Sequence, residues 1–138
     1  MSNFDTDDME GVLAAGGTRC ATDQILYNIT RRGPEYELVG WLADKQIPLM
    51  AYSPVEQGRL PKGGALAEVA AKHRATIYQV ALAWLLAKPH VVAIPKAATV
   101  DHVKENRRAA SLALDAGDMA ALDAAFPPPR RKQRLEML

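Results

Sequence analysis

The 138-residue chain is 49% hydrophobic and 24% charged, proportions that fit one soluble globular domain and exclude the disordered and fibrous classes. Its 17 lysines and arginines nearly balance 16 aspartates and glutamates, so no overall field draws nucleic acid or anionic lipid, and neither is expected as a partner. The single Cys20 cannot form an internal disulfide, no cationic start leads into an apolar run, and the apolar stretch Val80 to Ala87 falls far short of the ~20 residues of a membrane span, which together favour a reducing, cytoplasmic setting and exclude a membrane protein.

In chain order, Asp5 precedes an acidic first turn and Met9, Val12 and Leu13 at helical spacing, and Gly16-Gly17 closes that helix. Cys20 to Tyr27 mixes β-branched and aromatic residues over a short span and reads as a strand, ahead of the breakers in Arg31-Arg-Gly-Pro. Glu35 to Lys45 sets Leu38, Val39, Trp41 and Leu42 on one side of a helix, and Ile47 to Tyr52 is a second strand. A loop rich in glycine and proline, Ser53 to Gly64, leads to a helix from Ala65 to His73. Thr76 then opens a capping-box pattern with Gln79 before Val80, Ala81, Trp84 and Leu85. Val91 to Ile94 is a third, buried strand; Thr99 caps a helix from Val100 to Ala110, and Asp115 caps another that ends near Phe126, before three prolines. Short apolar strands alternating with helices give an α/β class with a parallel sheet, because parallel neighbours need crossover connections. The pattern alone leaves an open doubly wound sheet and part of a closed barrel both standing.

Ligands gather at the carboxy ends of such strands. Lys96 sits there, directly before a helix amino terminus whose unpaired N–H groups favour a phosphate, although a lysine in that place also simply reaches solvent. Gln24 and Asn28 either bind a ligand amide or satisfy backbone groups at the sheet end. Tyr52 either offers its face to a planar ring, with Ser53 and the loop amides for phosphate oxygens, or caps the sheet as a core aromatic. His73, His90 and His102 show no acid or nucleophile at a recognisable spacing, and neither a metal-ligand cluster, a Gly-x-Gly-x-x-Gly fingerprint nor a Gly-x-Ser-x-Gly elbow is present. The basic run Arg130-Arg-Lys-Gln-Arg on the proline-led end reads as a solvated tail rather than a phosphate or nucleic-acid contact.

Four motifs fall in order: Ser2-Asn3-Phe4, Asp23-Gln24-Ile-Leu-Tyr-Asn28, Ala51-Tyr52-Ser53-Pro54, and Ile94-Pro95-Lys96 with Glu105-Asn106. The series resembles the aldo-keto reductase family, from the end of its fifth strand through the helix after its eighth, over residues 1–126, with 127–138 left as the basic tail. The resemblance implies the carboxy-terminal half of a (β/α)8 barrel that reduces aldehydes or ketones with a nicotinamide dinucleotide, NADP (as NADPH) ahead of NAD. It implies that Ser2, Asn3 and Gln24 hold the nicotinamide carboxamide and that Tyr52 stacks on the ring. By the same resemblance Ser53 and its loop meet the pyrophosphate, Lys96 and Thr99 the 2′-phosphate side, and Glu105 and Asn106 the adenine. His102 stands where many members carry an arginine, so the two-pronged guanidinium grip on the 2′-phosphate is lost and the preference over NAD narrows. Two departures from the pattern concern size and chemistry. A barrel of this type needs ~250 residues, and the family's catalytic Asp, Tyr, Lys and His lie on earlier strands. The chain is therefore expected to bind cofactor while being inactive or very weak alone, with no catalytic residue and no metal site of its own. Its open sheet edges invite an amino-terminal half or a second copy. The alternatives are a non-catalytic nucleotide-binding or assembly module, or a truncated remnant without independent function.

Overall fold

The computed structural model describes residues 1–17 and 19–138. Three parallel strands, β1 (Asp23–Leu26), β2 (Leu49–Tyr52) and β3 (Val91–Ala93), lie side by side in chain order. Ser2 adds a one-residue parallel bridge to Gln24 on the outer side of β1. Helix α1 (Thr6–Ala14) links that bridge to β1, α2 (Leu38–Asp44) links β1 to β2, and α3 (Ala65–Lys72) with α4 (Ile77–Leu86) links β2 to β3; α5 (Val100–Ala109) and α6 (Ala116–Ala125) follow. Among the described residues no helix is long and apolar enough to cross a membrane.

The register decides which face is which. Asp23 aligns with Leu49 and Leu49 with Val91, while Gln24, Met50 and Val92 form the next row. Residues two apart share a face, so Ile25, Leu49 and Ala51 point to one side, where they join Met9, Leu38, Leu42, Leu66, Val69, Val80, Trp84, Leu85 and Leu122 in the core. On the opposite side Met50 and Tyr52 are half-buried and Val92 is 46% exposed. A doubly wound sheet carries helices on both faces; this one carries them on one. The sheet is therefore an arc of a (β/α) barrel, with its inner face open.

The helix starts follow from side-chain chemistry. Asp5 with Asp8, Thr76 with Gln79, and Asp115 with Asp118 form reciprocal capping boxes on α1, α4 and α6, and Thr99 accepts from the His102 N–H at the start of α5. Gly16, at φ 91°, turns the chain out of α1.

Three expectations need correction. The helix from Glu35 to Lys45 is two pieces, a 3₁₀ turn at Gly33–Tyr36 and α2, parted at Glu37 with φ −144°; Pro34 starts the tight turn, and no side chain caps α2. The first strand begins at Asp23, not Cys20. The third strand is not buried, because β3 is the sheet's edge and Val92 and Ile94 (38% exposed) have nothing across from them. The basic run is exposed at Arg130, Arg131, Lys132, Gln133 and Arg134, as a solvated tail would be, while Lys132 pairs with Asp7 and Glu37 and Leu135 packs against the core.

Candidate functional site

The chain's first residues, β1 and β2 meet on the open face. The Asn3 amide donates to the Gln24 carbonyl at 2.9 Å, Ser2 bridges Gln24, and the Tyr52 hydroxyl donates to Asn3 Oδ1 at 3.1 Å. Asn3 sits at φ 57°, a left-handed conformation that asparagine tolerates better than most residues. Ser2, Asn3, Gln24 and Tyr52 thus form one polar patch with an aromatic ring, Tyr52 standing at the carboxy end of β2 and Gln24 near the start of β1.

The loop after β2 is the most strained segment nearby. Ser53, Glu56 and Gln57 all have positive φ (47°, 49° and 54°), and Gly58 follows at 83°. Such geometry persists only where the surroundings hold it, and the restraint is visible. Glu56 is buried, accepting from Asn28 Nδ2 at 2.9 Å and pairing with the Arg31 guanidinium at 2.8 Å. Asn28 Nδ2 also donates to the Ser53 carbonyl, while Asn28 Oδ1 accepts from the Thr30 and Arg31 amides. Arg31 holds the Glu56 carboxyl below its ordinary range, against the opposing effect of burial. Of the two readings of Asn28, the backbone-satisfying one is what the structure contains.

This braced loop walls a cavity of about 450 Å³ lined by Ser53, Pro54, Val55, Gln57, Gly58, Ile94 and Lys96. A second, of about 310 Å³, is lined by Val55, Tyr78, Lys96, His102, Glu105 and Asn106. Val55 and Lys96 line both, so the two lie side by side near the start of α5. Lys96 is exposed and forms no ion pair among the described residues. Thr99 lines neither, its hydroxyl being occupied by the His102 amide. A channel with an amide-and-hydroxyl loop at one end, a lysine at the joint and a mixed polar pocket at the other suits an extended, phosphate-bearing ligand.

Several participants escaped the sequence reading. Tyr78 lines the second cavity and its hydroxyl donates to the Gly58 carbonyl at 3.0 Å; its place in the first turn of α4, just after the Thr76 cap, was the available signal. Glu56 and Arg31 gave no signal, since nothing local marks a loop glutamate as buried. His73, expected to lack an acid, meets Asp118 Oδ2 at 2.6 Å, 45 residues further on. The larger polar cluster lies beneath the site: Arg32 binds Glu35 through two nitrogens, Asp123 Oδ1 at 2.7 Å and the Phe126 carbonyl, and lies 4.9 Å from the Trp84 ring centroid. Tyr27 donates to Glu35 at 2.7 Å, and burial together with that carboxylate drives its phenol far above the ordinary value. Among the described residues no three His, Cys, Asp or Glu side chains gather as a metal site.

The family model for the aldo/keto reductase family matches residues 1–126. Methylglyoxal reductase YeaE of Escherichia coli (strain K12) is 42% identical over the whole chain, which covers 51% of that protein. Methylglyoxal reductase DkgB of Escherichia coli O157:H7 is 34% identical over 90% of the chain and 46% of that protein. Among solved structures, an aldo-keto reductase from Klebsiella pneumoniae in complex with NADPH superposes with a TM-score of 0.95 at 41% identity, covering 99% of this chain and 50% of that one. The thermostable aldo-keto reductase Tm1743, solved with epalrestat, gives 0.84 at 42% identity, covering 89% and 46%. The chain spans about half the length of the relatives it matches.

Proposed function

This chain belongs to the aldo/keto reductase family, and from that premise we propose that it is the cofactor-holding half of an NADP-dependent enzyme that reduces an aldehyde or ketone. The observation that carries the reading is the pair of adjacent cavities, which bring Ser53, Lys96, His102, Glu105 and Asn106 into one channel beside the Tyr52 patch. Two cavities side by side suit an extended ligand such as a dinucleotide. Ser2, Asn3 and Gln24 present amide and hydroxyl groups to a carboxamide, and Tyr52, steered by its bond to Asn3, presents its ring to the nicotinamide. The strained loop from Ser53 to Gly58 turns backbone amides toward the pyrophosphate. Lys96 supplies the positive charge for the 2′-phosphate, with His102 in place of a guanidinium and Thr99 at the same helix start; Glu105 and Asn106 border the adenine. Bound in this way, the reduced nicotinamide supplies the hydride.

The same reading leaves the chain without a proton donor for the carbonyl oxygen. Each of the four tyrosines has another situation: Tyr27 is buried against Glu35, Tyr52 is tied to Asn3, Tyr78 to the Gly58 carbonyl, and Tyr36 is exposed on a 3₁₀ turn away from the channel. Placed acid catalysis contributes typically 10²–10⁴ in rate, so turnover belongs to the assembled barrel. The exposed Val92, Ile94, Val100 and Val103 lie along β3 and the start of α5, on the side where a barrel would continue. An apolar seam there suits an amino-terminal half barrel better than solvent, with self-association through the same edge as the competing use. In this arrangement residues 1–126 are the reductase portion, 127–138 the tail that staples α1 to the turn before α2, and the assembly works in the cytoplasm.

Fluorescence titration of the chain with NADPH tests the reading. Binding is expected to saturate, K96A to weaken it by about tenfold or more, and H102R to strengthen it and widen the margin over NADH, as a bidentate guanidinium replaces an imidazole. NADPH and NADH bound alike, with no response to either substitution, would contradict the assignment.

A further inference from the structure

Outside that channel, one concavity gathers two arginines, a histidine, a glutamine and a serine beside two apolar residues. A cavity of about 200 Å³ at the junction of α3, α4 and α5 is lined by His73, Arg74, Ala75, Gln79, Arg108, Ser111 and Leu112. No carboxylate lines it. The walls are fixed: His73 is held by Asp118 at 2.6 Å, whose other oxygen takes Lys72 Nζ at 2.6 Å, and Gln79 is held by the Thr76 amide and by the Glu105 carbonyl. Asp118 is only 3% exposed, and its ordinary range is displaced downward first by Lys72, so its charge is already spent on these partners.

Arg31, Arg32 and Arg59 pair with carboxylates, whereas Arg74 and Arg108, like Arg107 and the arginines of the tail, form no ion pair among the described residues; what sets Arg74 and Arg108 apart is that they line the same cavity. Arg74 also occupies the residue after the α3 cap at φ 51°, with its amide donating to the Ala71 carbonyl and that of Ala75 to the Ala70 carbonyl. That helix-ending geometry favours glycine. A long cation there costs stability and returns no contact within the fold.

We propose that this cavity is a binding site for a compact dianion, a phosphate group carried on a small soluble molecule, gripped by the Arg74 and Arg108 guanidiniums with Ser111 and the His73 ring at its sides. Guanidiniums match phosphate oxygens in a two-pronged geometry, and the cavity of about 200 Å³ holds a phosphate together with part of the molecule that carries it. The site is separate from the nucleotide channel: Tyr78 of α4 and Glu105 and Asn106 of α5 line the channel, while Gln79 and Arg108, on the same two helices, line this cavity.

The test is isothermal titration of the full chain with inorganic phosphate at constant ionic strength, set beside chloride. Saturable phosphate binding is expected, weakened about tenfold or more in R74G and in R108A and unchanged in R107A, whose side chain lines neither cavity. R74G gives glycine to a left-handed position, so its thermal midpoint is expected to rise, and lost binding in that variant is not lost folding. Phosphate binding that survives R74G and R108A but disappears in K96A assigns the anion to the nucleotide channel and overturns the proposal, as does equal binding of chloride. Failure of NADPH binding leaves this prediction standing, since the two use different side chains.

Discussion

Replacing Arg32 by alanine is expected to cost about 3–5 kcal/mol of folding stability, because one member of a buried charge group would be removed and its partners stranded. The Arg32 side chain is 6% exposed and Glu35 13%. The guanidinium holds both Glu35 oxygens, Asp123 and the Phe126 carbonyl, and lies against the Trp84 ring. It therefore joins the turn after β1 to the last turn of α4 and the end of α6. Without it Glu35 keeps the Tyr27 hydroxyl at 2.7 Å and Lys88 at 3.9 Å, which do not replace two charged hydrogen bonds. The double variant R32A/E35Q should recover part of the loss, since the stranded charge goes with it. Urea unfolding of the three proteins decides; a loss under about 1 kcal/mol, the ordinary worth of a surface pair, would show that the cluster is not buried as described.

The opposite sign is expected of D23N. Asp23 is fully buried at the start of β1, in the row that faces the helices, and neither carboxylate oxygen finds a well-aligned partner among the described residues. Burial raises its carboxyl above the ordinary range; the amino-terminal ammonium and the Phe4 and Gln24 amides oppose the shift without cancelling it. A carboxyl that is harder to ionise when folded stabilises the fold below its unfolded value of about 4, and that contribution is lost as pH rises through the raised value. At neutral pH the chain thus carries an ion that burial disfavours, and the amide is expected to relieve roughly 1–3 kcal/mol. The gain should be absent near pH 4 and grow toward pH 7, because only the wild type titrates. A pH-independent gain would attribute the effect to packing instead.

Much of the fold was legible because its signals are local. Asp5, Thr76, Thr99 and Asp115 each cap the helix their sequence context indicated, and three apolar runs became three parallel strands. What was not legible depends on distant partners. Glu37 breaks a helix whose apolar spacing is continuous, because Pro34 has already set the preceding turn. Val91 to Ile94 reads as buried from composition, yet burial belongs to whatever lies across the edge of β3, not to the strand. Arg32, Glu56 and Asp118 look like ordinary surface charges in sequence; each is buried by contacts with residues from 3 to 91 positions away. For the candidate site, the motifs named Ser53, Lys96, His102, Glu105 and Asn106, and the structure sets these around two adjacent cavities. Tyr78 and the bracing of the loop by Asn28 and Glu56 came only with coordinates, since a strained loop leaves no trace in composition beyond its glycines and prolines.

The order of the sheet bears on how the chain finds its shape. β1 pairs with β2 and β2 with β3, each strand beside its immediate successor, so no pairing has to wait for a distant segment to return. The entropy lost in closing each loop is that of one strand-helix-strand unit, whatever the total length of the polypeptide. Assembly can thus proceed stepwise from one end as residues emerge from the ribosome, and each completed strand offers the next a finished template to dock on.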